Sequence, residues 1–158
     1  MQSSRLYNIH YMKLRIISVG KSSDASIQTL RDTYAERLRR WATIEWQIIP
    51  PGKSVEADSA VLIKLCRPSD FVILLDERGA QLDNQQLVDR FEQWLQSGRQ
   101  LVFVIGGAYG VDQTVRVRAD FVWSFSELVF PHEIMRVLLV EQLYRTCNLR
   151  DGGKYHHG

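Results

Sequence analysis

A chain of 158 residues, 45% of them apolar, is long enough to bury one substantial core and too short to argue for a second domain. Its formal charge of +2 permits a polyanionic partner but falls short of the basic excess that would establish a nucleic-acid binder unaided. Cys66 and Cys147 stand far apart, which excludes a framework of short cysteine pairs for disulfides or zinc and predicts a reducing, cytoplasmic setting without a metal.

No apolar run approaches the roughly 18 residues of a membrane span, and "MQSSRLYNIHY" lacks the apolar centre of a secretory signal, so a soluble protein is expected. Met12 directly precedes a strand-like run. Residues 1–11 therefore read as a disordered leader or upstream-start extension, and residues 12–158 as a single domain.

Lys13 to Val19 is rich in β-branched residues and ends at Gly20, as buried parallel strands commonly do. From Ser26 to about Arg40, Ile27, Leu30, Tyr34 and Leu38 recur at helical spacing among charges. "TIEWQIIP" from Thr43 is a second strand stopped by Pro50 and Pro51, and "VEADSAVLIKLC" has a modest helical period. "FVILLD", Phe71 to Asp76, is a third strand. Asp83 to Ser97 places Leu87, Phe91, Trp94 and Leu95 on one helical face before the stop at Gly98.

"LVFVIGG" from Leu101 is the most hydrophobic strand, Asp112 can cap a short helix after it, and "VWSFSELVF" is a further extended piece. A long helix then runs from Pro131 to about Asn148. Ile134, Met135, Val137, Leu138, Leu139, Val140, Leu143 and Tyr144 cover most of its circumference, which predicts burial against a second copy of the chain. Glu141 and Arg145, at i and i+4, are spaced for a supporting ion pair.

Alternating strands and helices imply an α/β fold with a mainly parallel sheet covered on both faces, and such sheets bind ligands beyond the carboxyl ends of their strands. Three loops converge there: the one after Asp76, the one at Gly106-Gly107, and "SFSELVFPH". Glycine after a buried strand lets backbone approach a ligand closely, although a Gly pair there is also an ordinary turn. The spacing G-G-x-x-G is neither a dinucleotide fingerprint nor a phosphate-binding P-loop.

"LVFVIGGAYGVD", "SFSELVFPHEIMRVLLVEQLYR" and the closing "YH" together resemble the RlmH family of SPOUT-class methyltransferases, and the resemblance extends from Lys13 almost to the end. Two features depart from it: the family's longer second helix, with its Lys-Glu-Gly segment, is missing, and His157 and Gly158 replace the basic residue that commonly follows Tyr-His.

The resemblance implies an α/β knot and an S-adenosylmethionine-dependent methyltransferase. Its implied target is N3 of a pseudouridine in helix 69 of 23S ribosomal RNA, within assembled ribosomes. It implies a homodimer and no membrane. By the same resemblance, Leu75, Gly106, Phe125, Ser126, Glu127, Leu128, Val129 and Phe130 hold the cofactor. His132, Arg136, Tyr155 and His156 are the candidates for deprotonating the imide, stabilising its charge or contacting RNA. Arg37, Arg39, Arg40 and the basic tail are further candidates for RNA contact. Two readings compete: a catalytically silent α/β nucleotide-binding module, and a dehydrogenase-like enzyme, which would need G-x-G-x-x-G where "VGKSSD" stands. Tyr155 and His156 fall at the family's spacing from "EQLYR", so "GGKYHHG" reads as native rather than as a tag remnant.

Overall fold

A computed structural model describes residues 11–21 and 24–153. In chain order the elements are β1 (Met12–Val19), α1 (Ala25–Leu38), β2 (Ala42–Ile49), α2 (Val55–Leu65), β3 (Phe71–Gln81), α3 (Asn84–Gln96), β4 (Leu101–Ile105), α4 (Gln113–Arg118), β5 (Phe121–Ser124) and α5 (His132–Arg150). Every strand pairing is parallel, and the order across the sheet is β2-β1-β4-β3-β5.

Alternation along the central strands divides the core. Leu14 and Ile16 face the layer of α1, α3 and α5, with Leu38, Phe91, Leu139 and Leu143. Ile17 and Val19 face the layer of α2 and α4, with Leu62 and Val115. Trp94 of α3 joins three strands, its ring lying 5.4 to 6.4 Å from those of Phe71, Phe103, Phe121 and Trp123.

Local capping defines where the helices begin. The side chains of Asp24, Ser54, Asp83 and Asp112 each accept from a backbone N–H in the first turn of α1, α2, α3 and α4, an interaction worth about 1 kcal/mol apiece. Asp83 and Gln86 complete a reciprocal capping box.

Two boundaries differ from the sequence reading. β3 does not end at Asp76. It pairs with β5 at Leu75↔Trp123 and again at Ala80↔Trp123, so residues 76–79 bulge from the ladder. A Cβ on Gly79 would lie 2.6 Å from the backbone of Val122, which only glycine allows. The stretch read as extended to Phe130 is a strand only to Ser124, because β5 pairs with β3 alone and the chain then turns across the carboxyl ends of the sheet.

That turn delivers α5 back onto α1, β1, β4 and α3. Its buried face is Arg136, Val137, Leu139, Val140, Leu143, Thr146 and Cys147. Ile134, Met135, Leu138 and Tyr144, expected to be buried too, are half-buried in the single chain. The predicted Glu141–Arg145 pair forms at 2.7 Å. Among the described residues no helix is long and apolar enough to cross a membrane.

Candidate functional site

A cleft of about 640 Å³ opens at the carboxyl ends of β3, β4 and β5. Its walls are the β3 bulge, the loop after β4, the segment after β5 and the first turn of α5. Seven of the eight residues expected to hold a cofactor line it: Leu75, Gly106, Phe125, Ser126, Leu128, Val129 and Phe130. Glu127 belongs to the same segment but is exposed and forms none of the wall.

The loop after β4 is a braced hairpin. Gly107 and Gly110 form a bridge, with the Gly110 N–H donating to the Gly107 carbonyl at 3.0 Å, and Gly110 adopts φ +77°. Val111 is buried in the α2/α4 core, and the Asp112 N–H donates to the buried Ser59 Oγ at 3.0 Å. A Cβ on Gly106 would lie 2.9 Å from Val111 Cγ1 and 3.0 Å from the Gly110 backbone. The missing side chain at Gly106 thus makes room for the loop's own return, while its backbone lines the cleft.

The bulge is held from α4. Arg116 donates from Nε and Nη2 to Asp76 Oδ2 at 3.3 and 3.2 Å, while Asp76 Oδ1 accepts from the Arg78 N–H at 2.9 Å. The segment after β5 is shaped by its serines. Ser124 Oγ lies 2.8 Å from the Ser126 carbonyl and 3.2 Å from that of Glu77, and Ser126 Oγ accepts from the Leu128 N–H. Phe125 packs edge-on against Trp123 at 4.6 Å.

His132 lines the cleft, its Nε2 lying 3.3 Å from the Lys21 carbonyl. Its ring covers Gly20, where φ is +114° and a Cβ would come within 2.5 Å of Nε2. One turn on, Arg136 is 1% exposed and donates from Nε to Ser18 Oγ at 2.8 Å and from Nη2 to the Gly20 and Val19 carbonyls. Burial, and secondarily Arg31, push its pKa below the usual guanidinium range. His132 and Arg136 therefore both grip the end of β1. Tyr155, His156 and His157 lie outside the described residues.

Arg37, Arg39 and Arg40 close α1, at the amino ends of the strands and so on the side away from the cleft. Arg37 lies over Tyr34, Arg39 pairs with Glu36, and Arg40 pairs with Asp151. Sequence reasoning missed Arg116, Arg78, Tyr109 and Met135 as wall residues. The two arginines of "TVRVR" carry no signal as to which of them turns inward.

The walls combine the apolar Leu75, Ile105, Phe125, Val129 and Phe130 with strand-end backbone and one imidazole. Such a cleft suits a ligand with a flat apolar body and polar edges, and its volume lies within the range of about 300–1,000 Å³ common to small-molecule sites. Among the described residues no group of three or more His, Cys, Asp or Glu stands close enough to hold a metal ion.

Residues 12–156 match a family model described as "Predicted SPOUT methyltransferase". Ribosomal RNA large subunit methyltransferase H of Methylobacillus flagellatus is 35% identical over 153 residues, covering 92% of this chain and 99% of that protein. The protein of the same name from Synechococcus sp. is 38% identical over 144 residues, covering 91% of this chain and 94% of the other. The solved structure of the SpoU methyltransferase AviRb from Streptomyces viridochromogenes, in complex with the cofactor AdoMet, has a TM-score of 0.47 and 10% identity, covering 98% of this chain and 64% of that one.

Proposed function

Because this chain belongs to the SPOUT methyltransferase family, we propose that it methylates N3 of a pseudouridine in 23S ribosomal RNA of assembled ribosomes, with S-adenosylmethionine as cofactor. The observation that carries this reading is the convergence of Leu75, Gly106 and the 125–130 segment on one cleft at the carboxyl ends of the strands. Relatives named for large-subunit ribosomal RNA methylation cover nearly the whole chain at 31–38% identity, which supports the same substrate class. The return of residues 125–150 across the strand ends supports the knotted path that the family implies.

The residues present fit the cofactor. Leu75, Ile105, Phe125 and Phe130 would cover an adenine face, and strand-end amides and carbonyls would meet its polar edges. When bound, S-adenosylmethionine supplies an electrophilic methyl group on a sulfonium centre. The chain's part is to orient the acceptor, exclude water and manage one proton, and no metal enters this reading.

An imide nitrogen must lose its proton to become nucleophilic. His132 is the one histidine among the described residues and stands in the cleft wall. With Nε2–H donating to the Lys21 carbonyl, Nδ1 is the acceptor on that ring, and we assign it the task of taking the imide proton. Arg136 acts as a positioning residue, its guanidinium holding the β1 end over which His132 lies. Tyr155 and His156 are assigned to contact with the target base, from the partner subunit of a homodimer. The half-buried Ile134 and Leu138 of α5 and the exposed Leu30 of α1 support that dimer.

The test is methylation of ribosomes from a strain lacking the gene, read by mass spectrometry of the modified nucleoside. N3-methylpseudouridine is expected, and unmodified ribosomes together with no calorimetric heat on adding S-adenosylmethionine would sink the proposal. Sedimentation should show a dimer at micromolar concentration, and a stable monomer there would refute that part alone.

A further inference from the structure

Tyr109, at the tip of the loop after β4, is 90% exposed, the highest exposure of any large apolar side chain among the described residues. An aromatic ring held in water on a floppy tip would mean little. This tip is braced by the Gly107–Gly110 bridge, by the burial of Val111 and by the Asp112 N–H on Ser59. Gly107 also packs close to β1, where a Cβ would lie 3.2 Å from Val19 Cγ1.

Tyr109 lines the cleft, and so do Leu128 and Val129, which are 71% and 74% exposed. The turn that carries those two is fixed by Ser126 Oγ accepting from the Leu128 N–H at 3.0 Å. The mouth of the cleft is therefore edged by three apolar side chains that the folded chain leaves in water, on two anchored segments.

We infer that Tyr109 is a stacking platform for an unpaired nucleobase beside the methyl acceptor, with Leu128 and Val129 completing the apolar rim. The inference rests on the RNA substrate proposed above. An acceptor base must leave its stack to enter a cleft, which exposes the face of its neighbour. A rigid, uncharged ring at the mouth replaces that lost stack, and aromatic stacking tolerates any base because each has a π face. Arg78, on the same rim with its side chain 68% exposed and its Nε in a long, solvent-facing 3.8 Å pair with Glu77 Oε1, exchanges that weak partner for an adjacent phosphate. A bare apolar rim would suit a protein partner as well, but the ring and the cation beside one cleft match the alternation of base and phosphate in RNA.

The experiment compares wild type, Tyr109→Ala and Tyr109→Phe as full chains on ribosomes lacking the modification. Steady-state methylation, equilibrium binding to the same ribosomes without cofactor, and calorimetry with S-adenosylmethionine are measured for each. Tyr109→Ala should raise KM for ribosomes and weaken ribosome binding about ten-fold, the order expected for one lost stack. Tyr109→Phe should stay within about two-fold of wild type, since stacking does not need the hydroxyl. Cofactor affinity should be the same in all three.

Unchanged KM and binding in Tyr109→Ala would overturn the inference. So would an equal loss of cofactor affinity, which would make the ring a cofactor cover, or a Tyr109→Phe defect as large as that of alanine. A wild type that methylates ribosomes while Tyr109→Ala matches it refutes the stacking role alone, whereas a wild type that neither binds nor methylates them refutes the substrate reading and this inference with it.

Discussion

Arg116→Ala tests whether the cleft wall depends on one ion pair. The substitution removes both donors from Asp76 Oδ2 and leaves the carboxylate with the Arg78 N–H alone. The Asp76 side chain is 5% exposed and that of Arg116 21%, so one partner is buried and the other meets solvent. Removing one member of a fully buried pair costs about 3–5 kcal/mol. Water entering the vacated guanidinium site offsets part of this, which gives an expected loss of about 2–3 kcal/mol. For a domain of this size that lowers Tm by roughly 4–12 °C. Because residues 76–78 line the cleft, affinity for S-adenosylmethionine should weaken several-fold as well. Thermal melting and cofactor titration of Arg116→Ala, Asp76→Asn and the double variant form a cycle. The double variant should be more stable than the sum of the singles predicts by at least about 1 kcal/mol. Additivity within about 0.5 kcal/mol, with cofactor affinity unchanged, would refute the account of the pair as a clamp.

Gly20→Ala puts a Cβ against the His132 ring at a backbone conformation that side chains avoid, so it should cost about 1–3 kcal/mol in a melt and displace the imidazole. A folded variant with full methylation rate would contradict the role given to His132. Burial pushes the Cys147 thiol up to about 12 and also raises that of Cys66, so neither should alkylate appreciably in the native state near neutral pH; mass spectrometry after iodoacetamide treatment checks this. The raised folded value of Cys147 also means that its contribution to stability is complete below the unfolded thiol pKa of about 8.5 and is lost as pH rises toward 12. Cys147→Ala should therefore show a shallower loss of stability over that alkaline window than wild type in denaturant titrations at several pH values.

Local periodicity, turn residues and caps were enough to read all ten elements from the chain, because strands such as "LVFVI" and helices such as Asn84–Gln96 carry their burial pattern in consecutive residues. The convergence of three loops followed from the same pattern, since a parallel sheet places all its carboxyl ends on one side. The motifs "IGGAYG" and "SFSELVFPH" then carried the family resemblance and with it the cofactor residues, seven of which line the cleft.

What only the tertiary structure decided are the contacts between segments remote in sequence. "DERGAQ" has no strand periodicity, and its second pairing with β5 exists because Gly79 lets two backbones approach. Gly106 gives room to the hairpin's own fold-back, a close approach of Val111 and Gly110 that no single-residue rule about glycine predicts. Arg136, read as a group for contacting RNA or stabilising the developing negative charge, is buried against Ser18 and Gly20, more than a hundred residues away along the chain, because α5 returns onto β1. The arginine that clamps the bulge is Arg116 and not Arg118, a choice made by the direction in which a six-residue helix faces the sheet. Composition and spacing determine which segments fold and which ends meet; the partner of each charged side chain is set by long-range packing, which a local pattern does not encode.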